Sequence, residues 1–180
     1  MSGIKSLKHE LQNIIAGKGS QSESNSIQAA KAYLRTHTKT GSEGKSTKPN
    51  RAEEERALKE YATQNNLFIE TTAIGTYVTS GAEQKVFYKA GEFVLKLADA
   101  IFYINWTDYF DNLLLHNYFF PDTAYTLVGF FEGNDSMFAV IRQPFVLHTE
   151  DTNLETVRDY VLTIVFVHKK NNDYYHPYLV

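Results

Sequence analysis

The spacing of apolar residues predicts three helices in the first third of the chain. Within residues 4–15 apolar side chains recur at helical spacing, and the same spacing predicts a second helix at 26–36. Strong helix formers with acids in the first turn predict a third helix at 51–64. The stretches 17–25 and 37–50 are rich in Gly, Ser, Thr and Lys, so we expect them to be linkers.

From residue 67 onward the pattern changes to short segments rich in β-branched and aromatic residues. The predicted strands are 67–70, 76–79, 85–89, 92–97, 124–131 and 137–143. Turn residues at 90–91 and 132–136 predict two hairpins, and a helix is predicted at 108–117. This order of elements predicts an α+β fold with about five antiparallel strands and one packed helix.

The segment 152–167 leaves two alternatives open. A helix capped by Thr152 or Asn153 fits its first half, with Glu155 near the helix start. Residues 161–167 are so rich in β-branched side chains that a strand is the alternative for the second half.

Composition limits the class of protein. The 180 residues are 43% hydrophobic and 14% aromatic, more than a disordered chain carries, so we expect most of the chain to fold. The sequence has no Cys, which excludes disulfides, thiolate nucleophiles and the usual structural zinc sites. Without a signal-peptide-like start or an apolar stretch of membrane length, the sequence predicts a cytoplasmic protein with no membrane partner.

Charge argues against a nucleic-acid partner. The formal net charge is −3 and the pI is about 6.1, whereas neutralising phosphates needs clustered Lys and Arg. Basic residues do gather between 26 and 51, either as a solvated linker or as an interaction arm that binds anions. The six His residues lack the spacing of metal ligands, and we expect His116 to be a helix-end or core residue.

Candidate chemistry lies in residues 80–97. The small residues Gly81 and Ala82 in a turn would let the backbone approach phosphate oxygens, Val86 would cover an adenine, and Lys96 would bring a positive charge to the phosphates. From chemistry alone the alternative is simpler: a single glycine marks a hairpin turn, and a strand lysine faces solvent.

The predicted order of three strands, a helix and two strands, followed by a short joint at Gln143-Pro144-Phe145, supports the same interpretation. The whole set is Gly81-Ala82-Glu83-Gln84, Val86-Phe87-Tyr88, Val94-Leu95-Lys96-Leu97, residues 115–125, Val128-Gly129-Phe130 and Gln143-Pro144-Phe145. With these residues the chain resembles the kinase-like domain found in bacterial polyvalent proteins of mobile elements. The resemblance covers residues 67–180 and implies the small lobe of a protein kinase.

The resemblance implies a nucleotide site, with ATP and Mg as the candidate cofactor and no metal held by the protein itself. Lys96 takes the place of the nucleotide-contacting lysine, and the other implied contacts are Gly81, Ala82, Glu83, Val86, Gln143 and Phe145. A kinase pairs this lysine with a Glu of the following helix, but no Glu occurs between residues 93 and 131. Asp108 or Asp111 would have to take its place. Residues 171–180 look like the lead-in to a catalytic loop that does not follow, so no catalytic residue is predicted.

These observations divide the chain into N-terminal helices with linkers at 1–66, a kinase-like small lobe at 67–147, and the incomplete start of a large lobe at 148–180. The predicted function is a non-catalytic module that binds a nucleotide or a protein. A protein partner or a second copy of the chain would cover the face where a large lobe docks. The alternatives are a small adaptor without nucleotide binding and half of a split kinase that another chain completes.

Overall fold

The structure is a computed structural model, and it describes residues 2–16, 25–38, 51–88, 91–133, 136–146, 151, 153–163, 166–170 and 173–175. The predicted linkers 17–25 and 37–50 lie outside these residues except at their ends. Parts of the two predicted hairpin turns, at residues 90 and 134–135, also lie outside them.

The elements follow one another along the chain as helices, then strands, then a mixed end. The helices are α1 (Ser2–Ile15), α2 (Asn25–His37), α3 (Arg51–Gln64), α4 (Thr71–Ile74), α5 (Trp106–Phe119) and α6 (Leu154–Thr163). The strands are β1 (Thr76–Ser80), β2 (Lys85–Tyr88), β3 (Phe93–Ala98), β4 (Thr126–Gly133), β5 (Ser136–Pro144), β6 (Val167–Lys170) and β7 (Asp173–Tyr175). Among the helical segments that the structure describes, none has the length and apolar character to cross a membrane.

The first five strands form one antiparallel sheet in the order β1-β2-β3-β5-β4. The strand that carries Lys96, β3, is therefore the central strand. The predicted α+β fold with about five antiparallel strands is confirmed.

The two faces of this sheet are covered differently. Val86, Lys96 and Ile141 lie directly opposite one another on β2, β3 and β5, so they share one face, which we call the lysine face. The larger buried cluster packs on this face and joins α2, α3 and α5 to the sheet. Its fully buried members include Ile27, Leu34, Leu58, Trp106, Tyr109, Phe110, Leu114 and Phe130.

The opposite side of the sheet, which we call the outer face, has a smaller core. Leu95, Leu97 and Val140 are buried there together with Ile74 of α4. Because side chains alternate along a strand, Leu95 and Leu97 point away from the face that carries Lys96.

The predicted strand at 67–70 is wrong. This segment forms a single parallel bridge, Phe68 to Phe130, and does not extend the sheet. The Ile69 N–H donates to the Phe130 carbonyl at 2.8 Å, and the Phe130 N–H donates to the Leu67 carbonyl at 2.8 Å. The crossing is so close that a Cβ at Gly129 would lie 2.3 Å from the Leu67 carbonyl oxygen, so β4 accepts only glycine at that position.

The helix predicted at 108–117 is confirmed and is one turn longer than predicted. Asn105 caps its first turn, because the Asn105 Oδ1 accepts a hydrogen bond from the Asp108 N–H at 2.7 Å. A second acceptor comes from α3: the buried Glu54 carboxylate accepts from the Trp106 N–H at 2.7 Å and from the Thr107 hydroxyl at 2.8 Å. Both ends of the prediction were therefore short of the structural helix, Trp106–Phe119.

Residues 146–180 and 1–8 form one compact unit, and residues 9–145 form the other. In the first unit α6 begins after Asn153, whose Oδ1 accepts from the Glu155 N–H at 2.9 Å and the Thr156 N–H at 3.2 Å, as predicted for the cap. The helix includes residues 161–163 of the segment for which a strand was the alternative, and a strand, β6, begins at Val167 and pairs with β7 in antiparallel register; residues 164–165 lie outside the described residues.

Candidate functional site: the lysine face

Lys96 lies on the covered side of the central strand. Its side chain is half-buried, and its Nζ lies 5.3 Å from the centre of the Tyr125 ring, within the range of a cation–π contact. Val86 and Ile141, its cross-strand neighbours, are half-buried and buried. Lys96 therefore does not lie on a solvent-exposed face, which was the alternative interpretation of the sequence.

The ammonium of Lys96 has no carboxylate within ion-pair distance among the residues that the structure describes. Burial lowers the pKa of Lys96, because a low-dielectric environment disfavours the charged form. A half-buried cation without an ion-pair partner in the described part of the chain is a group that can bind an anion.

Neither of the two aspartates suggested by the sequence pairs with Lys96. Asp111 forms an ion pair with the buried Lys31 of α2. The Asp108 carboxylate accepts a hydrogen bond from the Ile104 N–H at 3.1 Å, at the start of α5.

The side chain of α5 that contacts the same aromatic ring as Lys96 is His116. Its ring packs on Tyr125 with centroids 4.3 Å apart, so Lys96 and His116 approach the same aromatic ring. Its Nε2 lies 3.1 Å from the Thr123 carbonyl oxygen and donates to it. Burial lowers the pKa of His116, and the charge of Lys96 lowers it further.

Tyr125 is fixed by a buried amide. The Asn117 Oδ1 accepts from the Tyr125 N–H at 2.6 Å, and the Asn117 Nδ2 donates to the Tyr125 carbonyl at 2.8 Å. Gln143 adds a hydrogen bond from its Nε2 to the Thr123 carbonyl at 3.0 Å. The end of α5 and the start of β4 are thus joined beneath Lys96, and the Tyr125 ring has a defined place.

The turn between β1 and β2 carries the three residues expected at a phosphate loop. Gly81, Ala82 and Glu83 are exposed, and the Gly81 N–H donates to the Gln84 carbonyl at 2.9 Å. A Cβ at Gly81 would have no heavy atom within 4 Å, so the space around this backbone is open. The Glu83 Oε2 accepts a hydrogen bond from the Tyr103 hydroxyl at 3.0 Å.

The remaining expected contacts lie at the other end of the lysine face. Gln143 pairs directly with Val94 across β5 and β3, on the same face as Lys96. Phe145 follows β5, is 47% exposed, and packs edge-on against Tyr88 with centroids 6.0 Å apart. The structure therefore brings Val86, Lys96 and Gln143 onto one face, with the turn and Phe145 at the ends of the strands.

Two clefts beside the sheet are lined by residues of the outer face. One, of about 130 Å³, lies between the β1–β2 turn and Lys85, Leu97, Asp99 and Phe138. The other, of about 310 Å³, is lined by Glu92, Phe93, Pro121, Ala124, Thr126, Arg142 and Pro144. The turn lines the first of these clefts, and its Glu83 also contacts Tyr103, which packs against the cluster on the lysine face.

Sequence reasoning missed His116, Tyr125 and Tyr103 as site residues, because it assigned the first two to the core and did not single out the third. A usable signal was connectivity: a helix directly after β3 returns the chain to β4, so its last turn lies beside the strand that carries Lys96. Within the described ranges no three His, Cys, Asp or Glu side chains are grouped as metal ligands would be.

Comparison with known proteins gives one match. Over residues 51–179 the chain matches the family model described as a serine/threonine/tyrosine kinase found in polyvalent proteins. Neither a curated protein nor a solved structure matches the chain.

Proposed function

This chain belongs to the family of serine/threonine/tyrosine kinases found in polyvalent proteins, and we propose that its lysine face binds a nucleotide such as ATP as a non-catalytic module. The observation that carries this proposal is the half-buried ammonium of Lys96, which has no carboxylate partner in the described part of the chain.

The other groups on this face suit the parts of a nucleotide. Val86 is apolar, half-buried and on the same face as Lys96, so it can contact a base. The Lys96 charge is available to a phosphate, and the turn that begins at Gly81 leaves backbone accessible to phosphate oxygens. Lys96 would act mainly by attracting and orienting the phosphates.

Phosphoryl transfer needs more than this face supplies. A kinase positions its nucleophile with an Asp and holds Mg with a further Asp and an Asn. The 180 residues contain neither a His-Arg-Asp nor an Asp-Phe-Gly segment. The proposal is therefore nucleotide binding alone, with Mg arriving as part of the nucleotide complex.

Lys96 can be tested against a lysine on the other face of the same sheet. Lys85 lies opposite Leu97 on the outer face, and its Nζ is 5.2 Å from the centre of the Phe138 ring. We expect ATP with Mg to raise the Tm of the wild type and of Lys85→Ala, and to leave the Tm of Lys96→Ala unchanged. At ten times the Kd a ligand adds about 1.4 kcal/mol to the free energy of unfolding, which raises the Tm by about 3 to 6 °C.

An equal response of Lys96→Ala and the wild type would overturn the proposal. Loss of the response in Lys85→Ala instead would assign the nucleotide to the cleft of the outer face that Lys85 lines. Each variant is first compared with the wild type without ligand, so that a change in stability is not taken for a change in binding.

Protein binding is the second candidate function. Three large apolar side chains between β3 and α5 are exposed, namely Ile101 at 60%, Phe102 at 57% and Ile104 at 73%. Exposed apolar side chains in one short segment favour contact with another protein. If the chain is an adaptor without nucleotide binding, ATP will not change the Tm of any of the three proteins.

A further inference from the structure

The larger cleft beside the outer face is lined by two opposite charges that do not pair with each other. Among the lining residues in the described part of the chain, the charged ones are Glu92 and Arg142. Both side chains are exposed, and neither belongs to an ion pair of the described residues. The nearby Asp122 is exposed and does not line the cleft. Each of the two charges is therefore available to a ligand.

The guanidinium of Arg142 is held over an aromatic ring. Its Cζ lies 5.6 Å from the centre of the Phe93 ring, within the range of a cation–π contact. Arg142 pairs with Leu95 on β3 and with Thr126 on β4, so the strands on both sides fix its backbone. A guanidinium over a ring keeps the N–H groups at its edge for an acceptor, and their planar arrangement matches the two oxygens of a carboxylate.

Glu92 lies just before the strand that carries Phe93. Its carbonyl accepts a hydrogen bond from the Phe145 N–H at 2.7 Å, which ties this backbone to the end of β5. A carboxylate accepts hydrogen bonds from an ammonium group and repels a second anion. The two charges together therefore disfavour a simple anion or a simple cation, and they favour a ligand that carries both charges.

The rest of the cleft is mostly apolar. Carbon surface comes from Phe93, Pro121, Ala124 and Pro144, and Thr126 adds a hydroxyl group. The volume of about 310 Å³ is at the lower end of the range of roughly 300 to 1,000 Å³ for small-molecule sites. A cleft of this size with apolar walls suits a single amino acid that has an apolar side chain.

We propose that this cleft binds a free α-amino acid with an apolar side chain, such as leucine. Arg142 binds the carboxylate, Glu92 binds the ammonium group, and the apolar side chain lies against Phe93 and the two prolines. The site lies on the face opposite to Lys96, so the inference does not rest on the proposed nucleotide binding. A peptide terminus shares only half of this chemistry, because it carries either the carboxylate or the ammonium group.

The test is an NMR titration of the isotope-labelled full chain with leucine, with leucinamide and with N-acetyl-leucine. A ligand of about nine non-hydrogen atoms, such as leucine, gives a Kd on the order of 1 mM at ordinary ligand efficiency. We expect leucine to shift the amide signals of Thr126 and Arg142. Leucinamide lacks the carboxylate and N-acetyl-leucine lacks the ammonium group, so each should bind about tenfold more weakly or worse.

Two variants assign the charges. Arg142→Gln should weaken leucine binding by about tenfold and abolish the preference for leucine over leucinamide. Glu92→Gln should abolish the preference for leucine over N-acetyl-leucine. Lys85→Gln is the matched control, because Lys85 is another exposed cation of the outer face, 5.2 Å from the centre of the Phe138 ring. It should bind leucine as the wild type does.

Three results would overturn the inference. One is the absence of shifts at these two amides in about 20 mM leucine. Another is equal binding of N-acetyl-leucine or of leucinamide, which would assign the cleft to a peptide C-terminus or N-terminus. The third is a loss of leucine binding in Lys85→Gln as large as that in Arg142→Gln. Nucleotide binding at Lys96 is tested separately, so it can succeed or fail whichever result is obtained.

Discussion

Two basic side chains from different elements meet at one aromatic ring. Lys96 reaches Tyr125 from the central strand, and His116 reaches it from the last turn of α5. Lys96 was a candidate because the order of elements around it resembles a kinase small lobe, whereas the residues of β3 alone also allowed a solvent-facing lysine. The role of His116 depends on where α5 ends relative to the sheet, which no local pattern of residues encodes.

His116 should make the stability of the fold depend on pH. Its folded-state pKa lies below the ordinary value of 6.5, so the unfolded chain binds a proton more readily than the folded one. Stability is then lost as the pH falls below 6.5 toward the folded-state pKa. We expect the free energy of unfolding, measured with urea, to decrease more between pH 7.5 and 5.5 in the wild type than in His116→Phe.

The groups that face His116 make this variant informative. Phenylalanine keeps the ring contact with Tyr125, and the Thr123 carbonyl keeps its hydrogen bond from Gln143. The charge of Lys96 is unchanged. Above pH 7 the free energy of unfolding should depend on pH in the same way in the wild type and in His116→Phe. A decrease of equal size in both proteins below pH 7 would show that another group is responsible.

At the scale of elements, the hydrophobic pattern was sufficient for most helices and strands and insufficient for their connections. The predicted bounds of α3 coincide with the structure, because Arg51–Gln64 is a continuous run of helix-forming residues. The segment 67–70 has the composition of a strand, but it crosses β4 at Gly129 instead of extending the sheet. Its outcome depends on a close approach to a residue 60 positions away, which composition cannot predict.

The acids of α3 illustrate the same limit. From the sequence they are acids in the first turn, which stabilise the helix through its dipole. In the structure Glu54 is fully buried and accepts hydrogen bonds from the Trp106 N–H and the Thr107 hydroxyl. Helix α3 therefore caps α5 across a long stretch of chain, and the local sequence pattern shows only the nearer cap, Asn105.

Removing this acceptor should destabilise the protein. Glu54→Ala leaves a buried N–H and a hydroxyl at the start of α5 without their acceptor, and each such group costs about 1 to 3 kcal/mol. We therefore expect the free energy of unfolding in urea to fall by about 2 to 4 kcal/mol. Glu60→Ala, at an exposed position of the same helix, is the control and should stay within about 0.5 kcal/mol. A loss in Glu60→Ala as large as that in Glu54→Ala would show that the hydrogen bonds of Glu54 to the start of α5 are not the cause.

At the scale of the whole molecule, the helices before residue 51 belong to the core although they lie outside the matched family segment. Ile27 and Leu34 of α2 are fully buried in the cluster that includes Trp106 and Leu114. Lys31 joins them through its ion pair with Asp111 of α5. The sequence-based division at residue 66 remains a prediction about folding units, and truncation is the way to test it.

A chain of residues 51–180 should fail to unfold cooperatively. It lacks Ile14, Ile27 and Leu34, which are buried in the full chain. Each contributes about 1.5 to 3 kcal/mol, so their loss removes about 5 to 9 kcal/mol, against a total stability of about 5 to 15 kcal/mol for a typical domain. The fluorescence of Trp106, the single tryptophan of the chain, reports the transition in urea because its side chain is fully buried.

Removal of residues 146–180 is the matched control. The two buried clusters consist of residues between Ile14 and Ile141, all of which a chain of residues 1–145 retains. That chain should keep a cooperative transition with the same fluorescence change. If residues 51–180 instead unfold with the midpoint of the full chain, the matched segment folds without α1 and α2, and their buried side chains contribute little. Loss of the transition in residues 1–145 would mean that the segment after Phe145 is required to hold the sheet and its helices together.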